Sequence, residues 1–195
     1  MMDLLALDEQ LFHWINTGWS NGFFDSIAPY WRHEMLWMPL YFFLITFVVL
    51  NFQKKGIIMV LAIILSAGLA DATSSHIVKK TIKRTRPCNN PEVQPEMTLR
   101  VRCGSGYSFT SSHAANHFAV ATILVLLLGG IWTWIKWPLF LWASTISLGQ
   151  VYVGVHYPID ILCGAILGYF CARLVYYLYR KMPKSFLNQV GARLR

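Results

Sequence analysis

The sequence predicts an all-α integral membrane protein, in which a bundle of five transmembrane helices follows N-terminal interfacial amphipathic helices. Hydrophobic residues make up 55% of the 195 residues and charged residues only 13%, which is too apolar for an ordinary soluble domain. Five apolar runs also have about the 17–25 residues that a helix needs to cross a bilayer. These runs are 36–52, 57–78, 114–135, 139–155 and 159–179.

Residues 1–35 form an interfacial region ahead of the bundle. Leucine, tryptophan and isoleucine recur at helical spacing through 3–19, with Asp8 among the polar residues on the opposite side. After a break that contains glycine, 23–31 forms a second, aromatic segment. We assign both segments to the membrane surface, although two helices packed on the bundle would produce the same pattern.

The transmembrane core covers 36–185 and is followed by a basic cytoplasmic tail, 186–195. The chain begins Met-Met-Asp, without the basic start of a cleavable signal peptide, so we expect the first span itself to direct insertion. The turn 53–56, Lys136 and the C-terminus are all basic, and the positive-inside rule therefore places them in the cytoplasm. The polar loop 79–111 and the loop between the last two spans then share the opposite side.

The positive charge is concentrated in a way that indicates an anionic partner. The formal net charge is +8, and seven lysines and arginines lie within 79–102, on the predicted outer side. Cations on that side oppose the positive-inside trend, which favours a functional reason for them. Because the chain is a membrane protein, we expect phosphate-bearing lipid headgroups, and not nucleic acid, as the partner.

The four cysteines divide into two pairs. Cys88 and Cys103 flank the polar outer loop, where an oxidising compartment would favour a disulfide between them. Cys163 and Cys171 lie within an apolar run, and we expect them to be chemically inert.

The loop between the fourth and fifth spans carries a candidate nucleophile, His156. Asp160 follows four residues later, one helical turn away, where its carboxylate can hold the imidazole in one orientation. A neutral, oriented imidazole is a competent nucleophile. The alternative is an interfacial histidine next to an aspartate that caps a helix.

Two further groups on the same side suit a phosphate. Lys79 and Arg86 are seven residues apart, so both can point the same way and supply a point charge and a planar fork. Ser111 is a candidate helix cap, and the free N–H groups of Ser112 and His113 form a natural phosphate cradle. His113 can also protonate a leaving oxygen. A basic membrane flank and a plain serine cap are the alternatives.

Together these groups predict metal-independent phosphoryl transfer, because they can bind the charge, attack phosphorus and protonate the leaving group. No carboxylate-rich cluster in the outer loops indicates a metal site, and we expect no cofactor.

At these residues the chain resembles the type-2 phosphatidic acid phosphatases, membrane lipid phosphatases that share a core with vanadium haloperoxidases and glucose-6-phosphatase. The first motif of that family, lysine, six residues and Arg-Pro, matches Lys79 and Arg86-Pro87. The second motif, Pro-Ser-Gly-His, is matched by Thr110-Ser111-Ser112-His113. The resemblance covers about residues 57–180.

The third motif of the family is Ser-Arg, five residues, His, three residues and Asp. It matches His156 and Asp160, but Gly149-Gln150 stands in place of Ser-Arg. The resemblance implies that His156 forms a phosphohistidine while Asp160 orients it, and that His113 protonates the leaving lipid oxygen. It also implies phosphate binding by Lys79, Arg86, Ser111, the Ser112 backbone and, in this chain, Gln150.

Gln150 is the main departure from the family pattern, because a neutral amide cannot supply the charged fork of an arginine. Losing such a contact costs about 1.5–3 kcal/mol. We expect that the Gln150 amide still donates to a phosphate oxygen and that a cation of the outer loop supplies the missing charge. The candidates are Lys80, Lys83, Arg100 and Arg102. Reduced activity or a different headgroup are the alternatives.

The resemblance implies a lipid phosphatase of the bacterial inner membrane, with the active site on the periplasmic side and the C-terminus in the cytoplasm. Candidate substrates are polyprenyl pyrophosphate, phosphatidylglycerol phosphate, phosphatidic acid and a lipid A-type glycolipid. A lipid phosphotransferase and a non-catalytic lipid-phosphate binder or transporter are the alternatives. The sequence leaves the substrate and the oligomeric state open.

Overall fold

A computed structural model describes residues 4–183, and every regular element in that range is helical. The α-helices are α1 (Leu4–Asn16), α2 (Gly22–Trp31), α3 (Glu34–Ala72), α4 (Lys79–Ile82), α5 (Ser112–Leu128), α6 (Lys136–Tyr152) and α7 (Pro158–Lys181). A π-helical segment, Thr73–Val78, joins α3 to α4, and 3₁₀ turns occur at Pro87–Asn89, Gln94–Glu96 and Thr133–Ile135. The basic tail predicted for 186–195 lies outside the described residues.

Two helical segments of the described chain, Glu34–Ile82 and Pro158–Lys181, are long and apolar enough to cross a membrane. The first segment reverses its direction at Gln53, whose backbone is non-helical with φ 52°. A Cβ atom on Gly56 would lie 2.3 Å from the carbonyl oxygen of Val48, so the two arms of this hairpin touch directly after the turn. The predicted turn 53–56 thus coincides with a reversal of the chain.

Helix α5 lies at the centre of the bundle and packs most closely against α7. The contact depends on two glycines of α7, because a Cβ on Gly168 would meet the carbonyl oxygen of Ala115 at 2.1 Å. A Cβ on Gly164 would lie 2.6 Å from the carbonyl oxygen of Ser111. This close packing brings the N-terminal ends of α5 and α7 together at one end of the bundle.

Helix α5 is shorter than the apolar run that predicted it. The run 114–135 suggested a single span, whereas the helix ends at Leu128 and the chain turns at Gly129 and Gly130. Glycine has a low helix propensity, so two consecutive glycines weaken the helix at this point.

Helix α1 packs against α6 and α7 with the face that contains Asp8, Phe12 and Asn16, all of which are buried. Its leucine side chains at Leu4 and Leu11 are exposed instead. Asp8 thus lies opposite the leucines, as the spacing indicates, but its side of the helix packs on the bundle. The polar side chain is buried because, as described below, two partners at the end of the bundle satisfy its carboxylate.

Candidate active site

The N-terminus of α7 positions the two residues of the predicted nucleophile pair. Pro158 occupies the first turn of α7, and the Asp160 carboxylate accepts a hydrogen bond from the N–H of Tyr157 at 2.9 Å, which caps the helix. The same carboxylate oxygen lies 3.4 Å from Nδ1 of His156. His156 and Asp160 are both buried. The Asp160 carboxylate thus both caps α7 and orients the His156 imidazole.

Arg86 contacts the other nitrogen of the imidazole. Its Nη1 lies 3.2 Å from Nε2 of His156 and also donates to the Val155 carbonyl oxygen at 3.1 Å. An arginine can only donate, so Nε2 accepts and carries no proton, while Nδ1 carries the proton and faces Asp160. This tautomer leaves the Nε2 lone pair directed toward the guanidinium of Arg86.

The surroundings of His156 keep it neutral. Burial lowers the pKa of His156 to about 4, and the charges of Arg86 and Lys79 act in the same direction, while the Asp160 carboxylate opposes them. A neutral imidazole at pH 7 is the form that can attack phosphorus.

A largely buried ion-pair chain supports Asp160 from behind, and sequence reasoning missed it. Arg84 donates to Asp160 Oδ1 at 2.9 Å and to Asp8 Oδ2 at 2.6 Å. Asp8 Oδ1 also accepts from the backbone N–H of Ile159 at 2.8 Å. The guanidinium of Arg84 lies 3.9 Å above the ring of Tyr157. Asp160 is therefore held from three directions.

The start of α5 lies next to this pair. The N–H of Ser111 donates to the carbonyl oxygen of Asp160 at 3.0 Å, and the Ser111 side chain caps α5 through the N–H of Ala114 at 3.4 Å. The Ser112 hydroxyl lies 3.0 Å from the hydroxyls of both Ser74 and Ser75. Contact with those hydroxyls accounts for the position of the side chain that replaces the glycine of the family motif.

His113 and Lys79 lie near His156, without a hydrogen bond to it among the described residues. The imidazole of His113 interacts electrostatically with His156, Lys79 and Arg32, so these four groups share one region. Lys79 also interacts electrostatically with Arg86. The predicted residues His156, Asp160, Arg86 and Ser111 are thus in one hydrogen-bonded cluster, with His113 and Lys79 beside it.

Gln150 belongs to the same cluster, but its cationic neighbour is not one of the loop residues considered above. Its side-chain Oε1 accepts from Nε of Arg32 at 3.0 Å, and its backbone carbonyl accepts from the N–H of His156 at 3.3 Å. Arg100 instead pairs with Asp25, and within 4–183 no lysine or arginine of the outer loop bonds to Gln150. Arg32 was missed because nothing in its local sequence distinguishes it from a basic flank.

Cys88 and Cys103 form a disulfide, with their Cα atoms 6.0 Å apart. The bridge closes the loop that follows Arg86 and so restrains the segment that leads back to Ser111. Cys163 and Cys171 are free thiols.

Similarity to known proteins agrees with this geometry. Residues 55–184 match the family model of the PAP2 superfamily. The chain is 33% identical over 186 residues to a lipid A 4'-phosphatase of Bacteroides thetaiotaomicron, covering 93% of this chain and 81% of that protein. It is 30% identical over 148 residues to an undecaprenyl-diphosphatase of Sulfolobus acidocaldarius, covering 76% of this chain and 65% of that protein.

A solved structure shares the fold. The crystal structure of Aquifex aeolicus LpxE superposes with a TM-score of 0.67 at 26% identity, covering 91% of this chain and 99% of that one. The family model extends over the three motif segments that form the cluster around His156. The chain therefore belongs to the PAP2 superfamily.

Proposed function

We propose that this membrane lipid phosphatase hydrolyses a phosphate monoester on the headgroup of a lipid A-type glycolipid, through a phosphohistidine at His156. The observation that carries the mechanism is the position of the His156 imidazole, with Nε2 3.2 Å from Nη1 of Arg86 and Nδ1 3.4 Å from the Asp160 carboxylate. The similarity to a lipid A 4'-phosphatase over 93% of the chain supports the substrate class.

The reaction proceeds in two displacements. Nε2 of His156 attacks phosphorus and the bond from phosphorus to the lipid oxygen breaks. His113, which enters this step protonated beside the bound phosphate, gives its proton to that oxygen. Water then attacks the phosphohistidine, His113 takes a proton from the water, and the nitrogen–phosphorus bond breaks to release inorganic phosphate. Asp160 stabilises the charge that the imidazole gains in the first step.

Cationic side chains neutralise the phosphate in this mechanism. Arg86 donates directly to phosphate oxygens, Lys79 adds a second positive charge, and the N–H groups at the start of α5 complete the cradle. The metal-independent chemistry needs no further Lewis acid, so we expect EDTA to leave the rate unchanged.

The proposed membrane arrangement has five crossings, formed by the two arms of α3 together with α5, α6 and α7. His156 and Arg86 lie at the end of the bundle opposite the reversal at Gln53, whose neighbours Lys54 and Lys55 are basic. The positive-inside rule then puts the site on the periplasmic side. The disulfide at the site end agrees with an oxidising compartment, and the C-terminus is cytoplasmic.

The test is phosphate release by the full-length protein in detergent, with separate assays on lipid A, phosphatidic acid, phosphatidylglycerol phosphate and undecaprenyl diphosphate. We expect lipid A to be the best substrate, His156→Ala to reduce release to background, and vanadate to inhibit. Retained activity in His156→Ala would refute the phosphohistidine, and a clear preference for another lipid would refute the substrate class.

A lipid diphosphate is the second candidate substrate, because the chain also resembles an undecaprenyl-diphosphatase. Release of inorganic phosphate in water, without an acceptor lipid, separates both hydrolases from a phosphotransferase. An absolute requirement for an acceptor would favour the transferase.

A further inference from the structure

The side chain of Gln150 is prepared to donate to a ligand. The residue is fully buried, and its backbone carbonyl accepts from the N–H groups of Val155 and His156 at 3.1 and 3.3 Å. Gln150 is therefore bonded through its backbone to the loop that carries His156. Within 4–183 its Nε2 has no hydrogen-bond partner, which is costly for a buried donor. An anion in the site would satisfy this donor.

Arg32 approaches the same amide from a different part of the chain. It directly follows the last residue of α2, and its Nε donates to Gln150 Oε1 at 3.0 Å. The arginine fits closely along α6, because a Cβ on Gly149 would lie 3.6 Å from the Cβ of Arg32. Among the described residues, neither terminal nitrogen of Arg32 has an acceptor, and no carboxylate pairs with it.

The charge distribution around Arg32 also favours an anion. Burial lowers the pKa of Arg32, the nearby positive charge of Arg86 lowers it further, and Glu34 opposes them to a smaller extent. His113 lies within electrostatic range as well. Two partly buried guanidinium groups near each other are unfavourable without a counter-charge. A phosphate between them would supply that charge and accept their free N–H groups.

We propose that Arg32 binds the substrate phosphate and supplies the positive charge that a neutral residue at position 150 cannot provide. Gln150 acts with it, because Oε1 fixes the guanidinium while Nε2 donates to the same anion. This proposal rests on the phosphatase function proposed above. It makes the end of α2, outside the helical bundle, a part of the phosphate site.

The proposal is tested by moving the guanidinium between the two positions. We expect Arg32→Ala to reduce kcat/KM for phosphate release by about 10- to 100-fold, as for the loss of one charge-assisted contact. Arg32→Gln keeps a donor for Gln150 Oε1 but removes the charge, so it should be similarly impaired. The double variant Arg32→Ala/Gln150→Arg should recover about tenfold or more over Arg32→Ala, because it restores a guanidinium next to His156.

Arg173→Ala is the matched control, because this exposed arginine lies on α7 about 20 Å along the helix from Asp160. It should retain wild-type activity, and thermal unfolding in detergent should show that all variants are folded. Near wild-type activity of Arg32→Gln would overturn the proposal, since Arg32 would then only position Gln150. Failure of the double variant to exceed Arg32→Ala would overturn it too.

Binding of inorganic phosphate to the unreacted protein separates this proposal from the phosphatase function. We expect calorimetry to show weaker phosphate binding to Arg32→Gln than to the wild type, by about tenfold or more. If the wild type binds phosphate but hydrolyses no lipid, the proposed function is wrong and Arg32 remains a phosphate ligand. Equal binding by both proteins would refute the role of Arg32 even in an active enzyme.

Discussion

Two groups of charged residues lie on opposite sides of the His156 imidazole, and they are organised differently. The support group, Asp8, Arg84 and Asp160, is internally paired, with nitrogen–oxygen distances of 2.6 and 2.9 Å. The other group, Lys79, Arg86 and Arg32, is the one that we propose to face the phosphate. This phosphate-facing group has no ion pair with a carboxylate among residues 4–183. Paired charges fix a geometry, whereas unpaired cations gain most of their stabilisation when an anion arrives.

This difference predicts that variants of the two groups fail in different ways. Loss of Asp8 or Arg84, the two support residues that do not contact His156, should reduce stability more than catalysis. Loss of a phosphate-facing residue should reduce catalysis and leave the stability of the anion-free protein nearly unchanged.

The largest effect is expected for Arg86→Ala, in the phosphate-facing group. Removing a donor that stabilises the phosphoryl oxygens should lower kcat/KM by about 10²- to 10³-fold. Lost hydrogen bonds to Val155 and Gly106 are offset by relief of repulsion from Lys79, so Tm should change little. Parallel measurement of phosphate release and thermal unfolding in detergent checks this.

Inorganic phosphate provides a second test of the difference between the two groups. It should raise the Tm of the wild type, because a ligand that binds the native state stabilises it, and should raise that of Arg86→Ala much less. A large fall in the Tm of Arg86→Ala without phosphate would place Arg86 in the support group and remove the distinction.

A smaller effect on the rate is expected for Asp8→Asn, in the support group. The amide oxygen can still accept from the N–H of Ile159, and Arg84 still pairs with Asp160, so the rate should fall only about two- to fivefold. The free energy of unfolding should fall by about 1–3 kcal/mol, because Arg84 loses one charged partner. Denaturation in detergent together with phosphate release measures both.

Glu9→Gln is the matched control for Asp8→Asn, since this partly exposed carboxylate is its neighbour on α1. It should leave Tm and rate unchanged. If Asp8→Asn abolished activity while remaining fully stable, Asp8 would belong to the reaction and not to the support of Asp160.

The contrast between the groups also explains what the sequence could predict. His156 and Asp160 are four residues apart across the start of α7, and Arg86 belongs to a motif with fixed spacing, so local pattern was sufficient for them. The reversal at 53–56 was likewise visible as a basic, polar interruption between two apolar runs. Local spacing determines these features, which is why they can be read without coordinates.

Arg32 and Asp8 depend on contacts between distant segments. Arg32 meets Gln150 across 118 positions of the chain, and Asp8 meets Arg84 across 76. Helical periodicity places Asp8 on a polar face, and a buried polar face has the same pattern as an exposed one. The end of α5 at Gly129–Gly130 is different. The glycine pair did indicate a helix end, but the length of the apolar run was given more weight.

The smallest effect is expected when the pH is varied between 5 and 7, because the ionisation of His156 should not change the activity in this range. Its pKa is lowered to about 4, mainly by burial, so the imidazole should stay neutral and competent throughout this range. As the pH falls through about 4, the imidazole gains a proton and the nucleophile is lost. Unfolding releases the histidine to its ordinary pKa of about 6.5, so stability should decrease as the pH falls from about 6.5 toward 4.

Histidine-selective ¹⁵N NMR in detergent measures this ionisation directly, with His156→Ala to assign the signal. An unprotonated Nε2 at pH 6 and a titration midpoint near 4 are expected. In Asp160→Asn the midpoint should move lower, because the carboxylate that favours the imidazolium is gone. A wild-type midpoint near 6.5 would mean that the imidazole is solvated, and then neither charge group could hold it as the contacts with Asp160 and Arg86 require.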